Sequence, residues 1–151
     1  MKSKQLTLGL GANLGDRHAT LAQARELLVD QFGPLIAASQ LLQTAAWGRT
    51  DQPDFLNQVI IIKWTPPAHL QRVPEQLHFL LNGIQATEAQ LGRTRDLHWG
   101  PRTCDVDLIF VDDLRYEDER INLPHPWWRE RDFVGGIIHR ELRAFLPWPG
   151  R

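Results

Sequence analysis

Between Arg17 and Phe32, apolar residues recur every three to four positions, at Leu21, Ala24, Leu28 and Phe32. This is the spacing of a single helix face turned toward a core. Asp16 stands where an N-cap belongs and Gly33-Pro34 where the helix must stop, so the pattern predicts a helix over 17–32. Upstream, Leu6 to Leu10 reads as a short strand running into the turn-rich Gly9-Leu10-Gly11-Ala12-Asn13-Leu14-Gly15-Asp16. Leu35 to Thr44 is mixed and reads as extended, and Trp47 to Asp54 reads as a loop. Asn57 to Trp64 carries Val59-Ile60-Ile61-Ile62, a β-branched run expected of a strand buried on both faces. Pro66-Pro67 ends it. A second helix is expected from near Pro74 to Leu91, with Leu77, Leu80, Leu81 and Ile84 on one face and Gly92 as its stop. Asp105 to Val111 alternates acid and aliphatic before turning wholly apolar, the pattern of a strand with one functional end. Asp112 to Arg120 is charged and turn-like, and a final helix is predicted over Arg131 to Phe145. Strands and helices in this mixed order favour an α+β sheet with helices packed on it over a strict βαβ repeat. No internal repeat or linker interrupts the series, so residues 1–151 read as one domain.

Composition narrows the function classes. With 17 Lys plus Arg against 18 Asp plus Glu the net charge is −1, which argues against a purely electrostatic nucleic-acid binder. At 151 residues, 42% hydrophobic and 23% charged, the chain is long enough to bury a sizeable core. A lone cysteine, Cys104, supports neither an internal disulfide nor a thiolate zinc cage, so a reducing compartment is expected. No apolar run approaches the length of a membrane span, and the sequence reads as cytoplasmic with no membrane partner. Six Trp accompany one Tyr, several of them beside Gly, Pro or Arg. That placement suits aromatic walls around a ligand and equally lids over the core.

The glycine segment has the spacing Gly9-x-Gly11-x-x-x-Gly15, one place off a dinucleotide fingerprint, and the chain contains no Gly-rich Lys-Ser/Thr phosphate loop. It reads as a tight strand-to-helix turn that uses glycine for positive φ, with Asn13 and Asp16 as caps. The richest stretch runs from Gly92 to Ile109. In a strand, residues two apart share a face, so Asp105 and Asp107 present two carboxylates side by side. Two adjacent anions are tolerated around a divalent cation, and an oxygen-only pair suits magnesium. Arg93, Arg95 and Arg102 lie just upstream and offer forks that match phosphate oxygens. Carboxylates for metal, metal for phosphate and arginine for developing charge are the parts of phosphoryl transfer. An edge strand whose aspartates pair with those arginines on the surface fits the same residues. Cys104, with no base partner at a fixed spacing, reads as a small core residue. Leu123-Pro124-His125-Pro126 is a rigid turn followed by Arg129, Arg131 and Phe133, while His18, His69, His78 and His139 share no metal spacing and read as ordinary surface or core residues.

Taken together, the block His98-x-Gly100-Pro101-Arg102-x-x-Asp105-Val106-Asp107-Leu108-Ile109 resembles the signature of the 6-hydroxymethyl-7,8-dihydropterin pyrophosphokinase family. The N-terminal Gly9 to Arg17, the stretch Asp51-Gln52-Pro53-Asp54-Phe55-Leu56-Asn57, and Leu123 to Pro126 followed by Arg131 and Phe133 match in the same order. The resemblance implies a monomer with a ferredoxin-like α+β fold, in which ATP donates its terminal pyrophosphoryl group to the hydroxymethyl oxygen of the pterin and AMP leaves. It implies two magnesium ions on Asp105 and Asp107, and Arg93 and Arg102 on the transferring phosphates. The pterin pocket would comprise Thr44, Phe55, Asn57 and Phe133, with Trp47 and Trp99 also placed toward the pterin. Gln85, Glu88, Leu108, Arg120, His125 and Arg131 would surround the nucleotide together with His98 and Arg95, Arg95 and Trp99 lying on a closing loop. The chain departs from the family at Ala45-Ala46 and Trp47, in a long Thr65 to Val73 connection, at Pro126, and in a short C-terminal end. Two further classes fit parts of the sequence: a catalytically silent pterin- or nucleotide-binding paralogue, and an RNA-binding module stacking bases on Trp99, Phe55 and Phe133. The charge of −1 and the Asp105/Asp107 pair oppose nucleic acid as a partner.

Overall fold

The computed structural model describes residues 2–13, 15–45, 54–93 and 104–147, with Arg93 and Asp132 described in the main chain only. In chain order the elements are β1 (Lys4–Ala12), α1 (Arg17–Phe32), β2 (Leu35–Ala38), β3 (Leu42–Thr44), β4 (Phe55–Trp64), α2 (Val73–Arg93), β5 (Cys104–Val111), β6 (Tyr116–Glu117), β7 (Asn122–Leu123) and α3 (Ile137–Glu141). A π-helical turn, Asp132–Gly136, leads into α3, and a 3₁₀ turn, Arg143–Phe145, follows it. Strand order in the main sheet is β2-β4-β1-β5, with β3 beside the other end of β4 and every pairing antiparallel. This is the ferredoxin-like βαββαβ arrangement of an α+β fold.

β1 occupies the centre of the sheet, and its period of two divides the interior. Leu6, Leu8, Leu10 and Ala12 enter a core roofed by α1 and α2, which contribute Leu21, Ala24, Leu28, Leu77, Leu80 and Ile84. On the opposite face a second cluster joins Val59, Ile61, Ile109 and Phe110 to Trp128, Val134, Ile137 and Ile138 of the C-terminal segment. Burial on both faces is why residues 59–62 are uniformly apolar. The α1 prediction holds at both ends: Asp16 accepts from the Ala19 amide at 3.1 Å, and Gly33 closes the helix at φ 145°. A Cβ at Gly33 would run into the carbonyl oxygen of Lys63.

Several expectations are corrected. The first strand spans Lys4–Ala12, so Gly9 and Gly11 lie inside it and not in a turn; among the described glycines of this segment only Gly15 has positive φ, at 65°. Asn13 is no cap: it is buried and its Oδ1 has no hydrogen-bond partner among the described residues. Leu35 to Thr44 is extended as expected, forming two short strands, whereas β4 begins at Phe55 and α2 continues through Gly92 to Arg93. The predicted helix over Arg131 to Phe145 is broken into the π turn, α3 and the 3₁₀ turn. The interruption falls at Leu142, where φ −123° and ψ 24° leave the helical range, and within the π turn Gly135 packs so closely on the carbonyl of Trp128 that no side chain fits there.

The charged stretch after β5 is also more ordered than expected, because β6 and β7 pair as a hairpin through Tyr116↔Leu123 and Glu117↔Asn122. Asp118 holds its turn: one carboxylate oxygen accepts from the Arg120 and Ile121 amides at 2.8 and 2.9 Å, the other from the Tyr116 hydroxyl at 2.7 Å and pairs with His78 Nε2 at 2.6 Å. These bonds, His78 foremost, hold the Asp118 carboxyl well below the usual carboxylate range. A group with a depressed folded-state pKa stabilises the fold above its unfolded value and loses that contribution as pH falls through the folded one. Wild type should therefore be more stable than Asp118→Ala at neutral pH, and the gap should narrow as pH falls from about 4, the unfolded aspartate value. Urea titrations of both proteins at pH 7 and below pH 3 check this; a gap that stays constant would show that the carboxylate charge is not what holds the turn.

Candidate active site

The site is built across three strands. In the register, Asn57 of β4 lies opposite Gly11 of β1, which lies opposite Asp105 of β5; the next row on the same face is Val59, Gly9 and Asp107. The two glycines contribute no side chain, so the sheet surface is bare between Asn57 and the carboxylate pair. Two strand spacings make that gap about 10 Å wide. Over it lies a cavity of about 200 Å³ that is walled by Phe55 and Phe133 and edged by Thr44, Ala45 and Asn57, with Asp105, Asp107 and Arg131 at one side. Phe133 is presented by the π turn, whose next residue, Val134, anchors in the second core. Asn57 is buried, and its Nδ2 donates to the Thr44 hydroxyl at 2.8 Å and the Leu42 carbonyl at 3.1 Å, fixing β3 as the cavity's rim.

A second cavity, about 350 Å³, opens on the other side of Asp107 between α2, β5 and the β6–β7 hairpin. Gln85 and Glu88 line it from α2, Leu108 from β5, Arg120 and Asn122 from the hairpin, and His125 from the turn beyond. Asp107 lines both cavities. Arg120 bridges to Asn82 at 2.8 Å and Gln85 at 3.2 Å. His125 is tied to β5 by its amide, which donates to the Ile109 carbonyl at 3.0 Å, and its Nδ1 accepts from the Trp127 amide at 3.2 Å. The neutral ring therefore carries its proton on Nε2, and burial pushes the His125 pKa below the ordinary value, so the neutral form is favoured.

The electrostatics at the junction are those of an anion cluster that, among the described residues, is faced by Arg131. Burial foremost, then the neighbouring Asp107 charge, raises the Asp105 carboxyl above its usual range. Glu88 is raised by burial, despite accepting from the Val106 amide at 2.9 Å, with Asp105 and Asp107 adding to the effect. The described positive partner of Asp107 is Arg131, at a loose 3.8 Å. Two oxygen donors on one strand face, without a third convergent His, Cys, Asp or Glu among the described residues, fit a hard cation that takes its remaining ligands from phosphate and water. Cys104 is buried and its thiol is pushed up to about 12, by burial and then by Asp105 and Glu88, as suits a core residue and not a nucleophile.

Of the residues singled out in the sequence, Thr44, Phe55, Asn57, Phe133, Asp105, Asp107 and Arg131 converge on the first cavity, and Gln85, Glu88, Leu108, Arg120 and His125 on the second. Arg93 closes α2. Trp47, Arg95, His98, Trp99 and Arg102 lie outside the described residues. Sequence reading missed Gly9 and Gly11 as the cavity floor, although their spacing of two, continuing the alternation of Leu6 and Leu8, was the signal. It also missed His78, whose partner lies 40 residues away.

The chain is thus an antiparallel α+β protein with a carboxylate pair between an aromatic-walled cavity and a polar groove. Residues 7–140 match the model of the 7,8-dihydro-6-hydroxymethylpterin-pyrophosphokinase (HPPK) family, and the chain belongs to that family. It is 42% identical over 130 residues to a Methylorubrum extorquens protein named 2-amino-4-hydroxy-6-hydroxymethyldihydropteridine pyrophosphokinase, covering 84% of this chain and 75% of the relative. A protein of the same name from Aquifex aeolicus is 33% identical over 152 residues, covering 93% of this chain and 89% of its own. The fold superimposes on the wild-type HPPK-DHPS of Plasmodium falciparum solved with pteroate, with a TM-score of 0.65 at 13% identity, over 96% of this chain and 40% of that one.

Proposed function

We propose that this protein transfers the terminal pyrophosphoryl group of ATP to the hydroxymethyl oxygen of 6-hydroxymethyl-7,8-dihydropterin, a step of folate biosynthesis, releasing AMP. The observation that carries this reading is the position of Asp107, common to a flat aromatic cavity and a polar groove. Phe55 and Phe133 take the faces of the planar heterocycle, and Asn57 and Thr44 meet its polar edge. Gln85, Glu88, Leu108, Arg120 and His125 hold the nucleotide, and Arg131 meets the phosphates where the cavities join. In the reaction the hydroxymethyl oxygen forms a bond to the β-phosphorus, the bond from that phosphorus to the α–β bridging oxygen breaks, and the hydroxyl proton is lost to solvent. Asp105 and Asp107 would hold magnesium, two ions on this reading, which when bound screens the polyphosphate charge. By family resemblance, Arg93 and Arg102 would act with Arg131 on the phosphates, Arg95 and His98 on the nucleotide, and Trp47 and Trp99 on the pterin. On this reading the protein acts as a monomer, one chain lining both cavities, in the cytoplasm. Among the described residues, no helix is long and apolar enough to cross a membrane.

Incubation with ATP, magnesium and the hydroxymethyl dihydropterin should yield AMP and the diphosphorylated pterin in equal amounts. Omitting magnesium should stop the reaction. Pterin binding without AMP release would instead identify a silent paralogue. The cavity floor gives a second test: a Cβ at Gly11 would lie 3.2 Å from Asn57 Oδ1 and 3.6 Å from the Phe55 ring. Gly11→Ala should weaken pterin binding by about 1 kcal/mol, the low end of overpacking costs, with nucleotide affinity unchanged. Equal pterin affinity in the two proteins, measured by calorimetry, would place the pterin away from this floor.

A further inference from the structure

Asp118 lies outside both cavities, yet its carboxylate has four partners, drawn from the hairpin and from α2. Oδ1 accepts from the Arg120 and Ile121 amides, at 2.8 and 2.9 Å. Oδ2 accepts from the Tyr116 hydroxyl at 2.7 Å and meets His78 Nε2 of α2 at 2.6 Å. The turn is closed a second time by the Asp118 amide, which donates to the Ile121 carbonyl at 2.8 Å. Three residues of α2 spaced along one face, His78, Asn82 and Gln85, thus take the hairpin in sequence: the first through Asp118, the other two through the Arg120 guanidinium. Residues 120–122 then form the hairpin's wall of the polar groove.

We propose that Asp118 is a positioning residue for the nucleotide, latching the β6–β7 turn to α2 through His78 so that Arg120 is held at the groove wall before ATP arrives. The inference rests on the reading of this groove as the nucleotide site. Arg120 is an exposed, rotamer-rich side chain, and an unlatched turn would have to be ordered by the ligand itself, which lowers affinity. Asp118 touches neither the carboxylate pair nor the aromatic cavity, so its effect should appear in nucleotide binding and not in the chemical step.

The test is the full chain with a non-hydrolysable ATP analogue and magnesium by calorimetry, followed by steady-state kinetics. Asp118→Ala should weaken analogue binding by about tenfold, the scale of one charged hydrogen bond between Arg120 and the ligand. KM for ATP should rise in parallel, while kcat and the pterin KM stay within about twofold. Asp118→Asn, which keeps an acceptor for the two amides, should recover most of the loss, and Tyr116→Phe and His78→Gln, which each delete one bond, should fall between. Unchanged analogue affinity in folded Asp118→Ala, or a fall in kcat with KM unaltered, would overturn the latch. Should Asp118→Ala fail to fold, the double variant His78→Gln/Tyr116→Phe takes its place, and wild-type affinity in it is equally fatal. If the wild type itself does not bind the analogue, the nucleotide reading of the groove falls, and the latch with it; if the wild type binds and the variant-to-wild-type ratio is one, only the latch falls.

Discussion

Asp105→Ala and Asp107→Ala should each lower pyrophosphoryl transfer by about 10³-fold or more while leaving the domain folded. The size follows from what the two carboxylates would hold: a divalent cation screening a polyphosphate is worth several kcal/mol in the transition state, comparable with or larger than one lost oxyanion donor. The direction for stability is opposite to that of most buried substitutions. The pair is costly to hold charged in the ligand-free protein: burial foremost and then the Asp107 charge raise the Asp105 carboxyl, and Glu88 adds a third negative group nearby. Removing one member relieves that repulsion and leaves Arg131 closer to balance with what remains. Thermal unfolding of the variants without ligand should match or exceed wild type, and added magnesium should stabilise wild type more than either variant. AMP release at saturating ATP and magnesium measures the activity. Near-wild-type turnover in either variant would remove the carboxylate pair from the site's chemistry.

How far the sequence shows this architecture depends on whether the deciding contact is local. The α1 helix is legible to the residue because its cap and stop, Asp16 and Gly33, act on the adjacent turns. The same reasoning at Gly92 fails, since glycine only lowers helix propensity and α2 runs one residue past it. The C-terminal helix breaks at Leu142, where the backbone leaves the helical range, which apolar periodicity does not encode. The β6–β7 hairpin has two-residue strands, too short to show any period, and is held by His78 from a helix 40 residues earlier in the chain. At the site, Asp105 and Asp107 are legible as a same-face pair because strand alternation is a local rule. What they face is set by register, Gly11 opposite Asp105 and Asn57 opposite Gly11, and register is a property of three strands at once. The family resemblance supplied the grouping of Asn57 with Phe55 and Phe133; the sheet supplies its physical cause.

Asn57→Ala should cost about 1–3 kcal/mol of pterin binding, equivalent to roughly 5- to 150-fold in affinity, because a buried polar edge of the ligand loses its partner. Two contributions act together. The amide faces the ligand-sized gap above Gly11, and the same side chain ties the rim through Thr44 and Leu42, so its loss also loosens β3, the strand that carries Thr44. Phe133→Ala separates them: it removes stacking area while leaving the Asn57 bonds to β3 intact. Both variants should keep wild-type affinity for ATP when pterin is absent, since neither residue lines the groove. With a non-hydrolysable ATP analogue and magnesium bound, pterin affinity should rise in wild type, because Asp107 belongs to both cavities and the magnesium that would accompany the nucleotide offsets the carboxylate charge bordering the pterin. Linkage requires the pterin to tighten the analogue by the same factor. Calorimetry of each ligand with and without the other measures all of these quantities. Equal pterin affinity in wild type and Asn57→Ala would place the pterin elsewhere, and coupling that survived in Asp107→Ala would show that the two cavities communicate by a route other than the shared carboxylate.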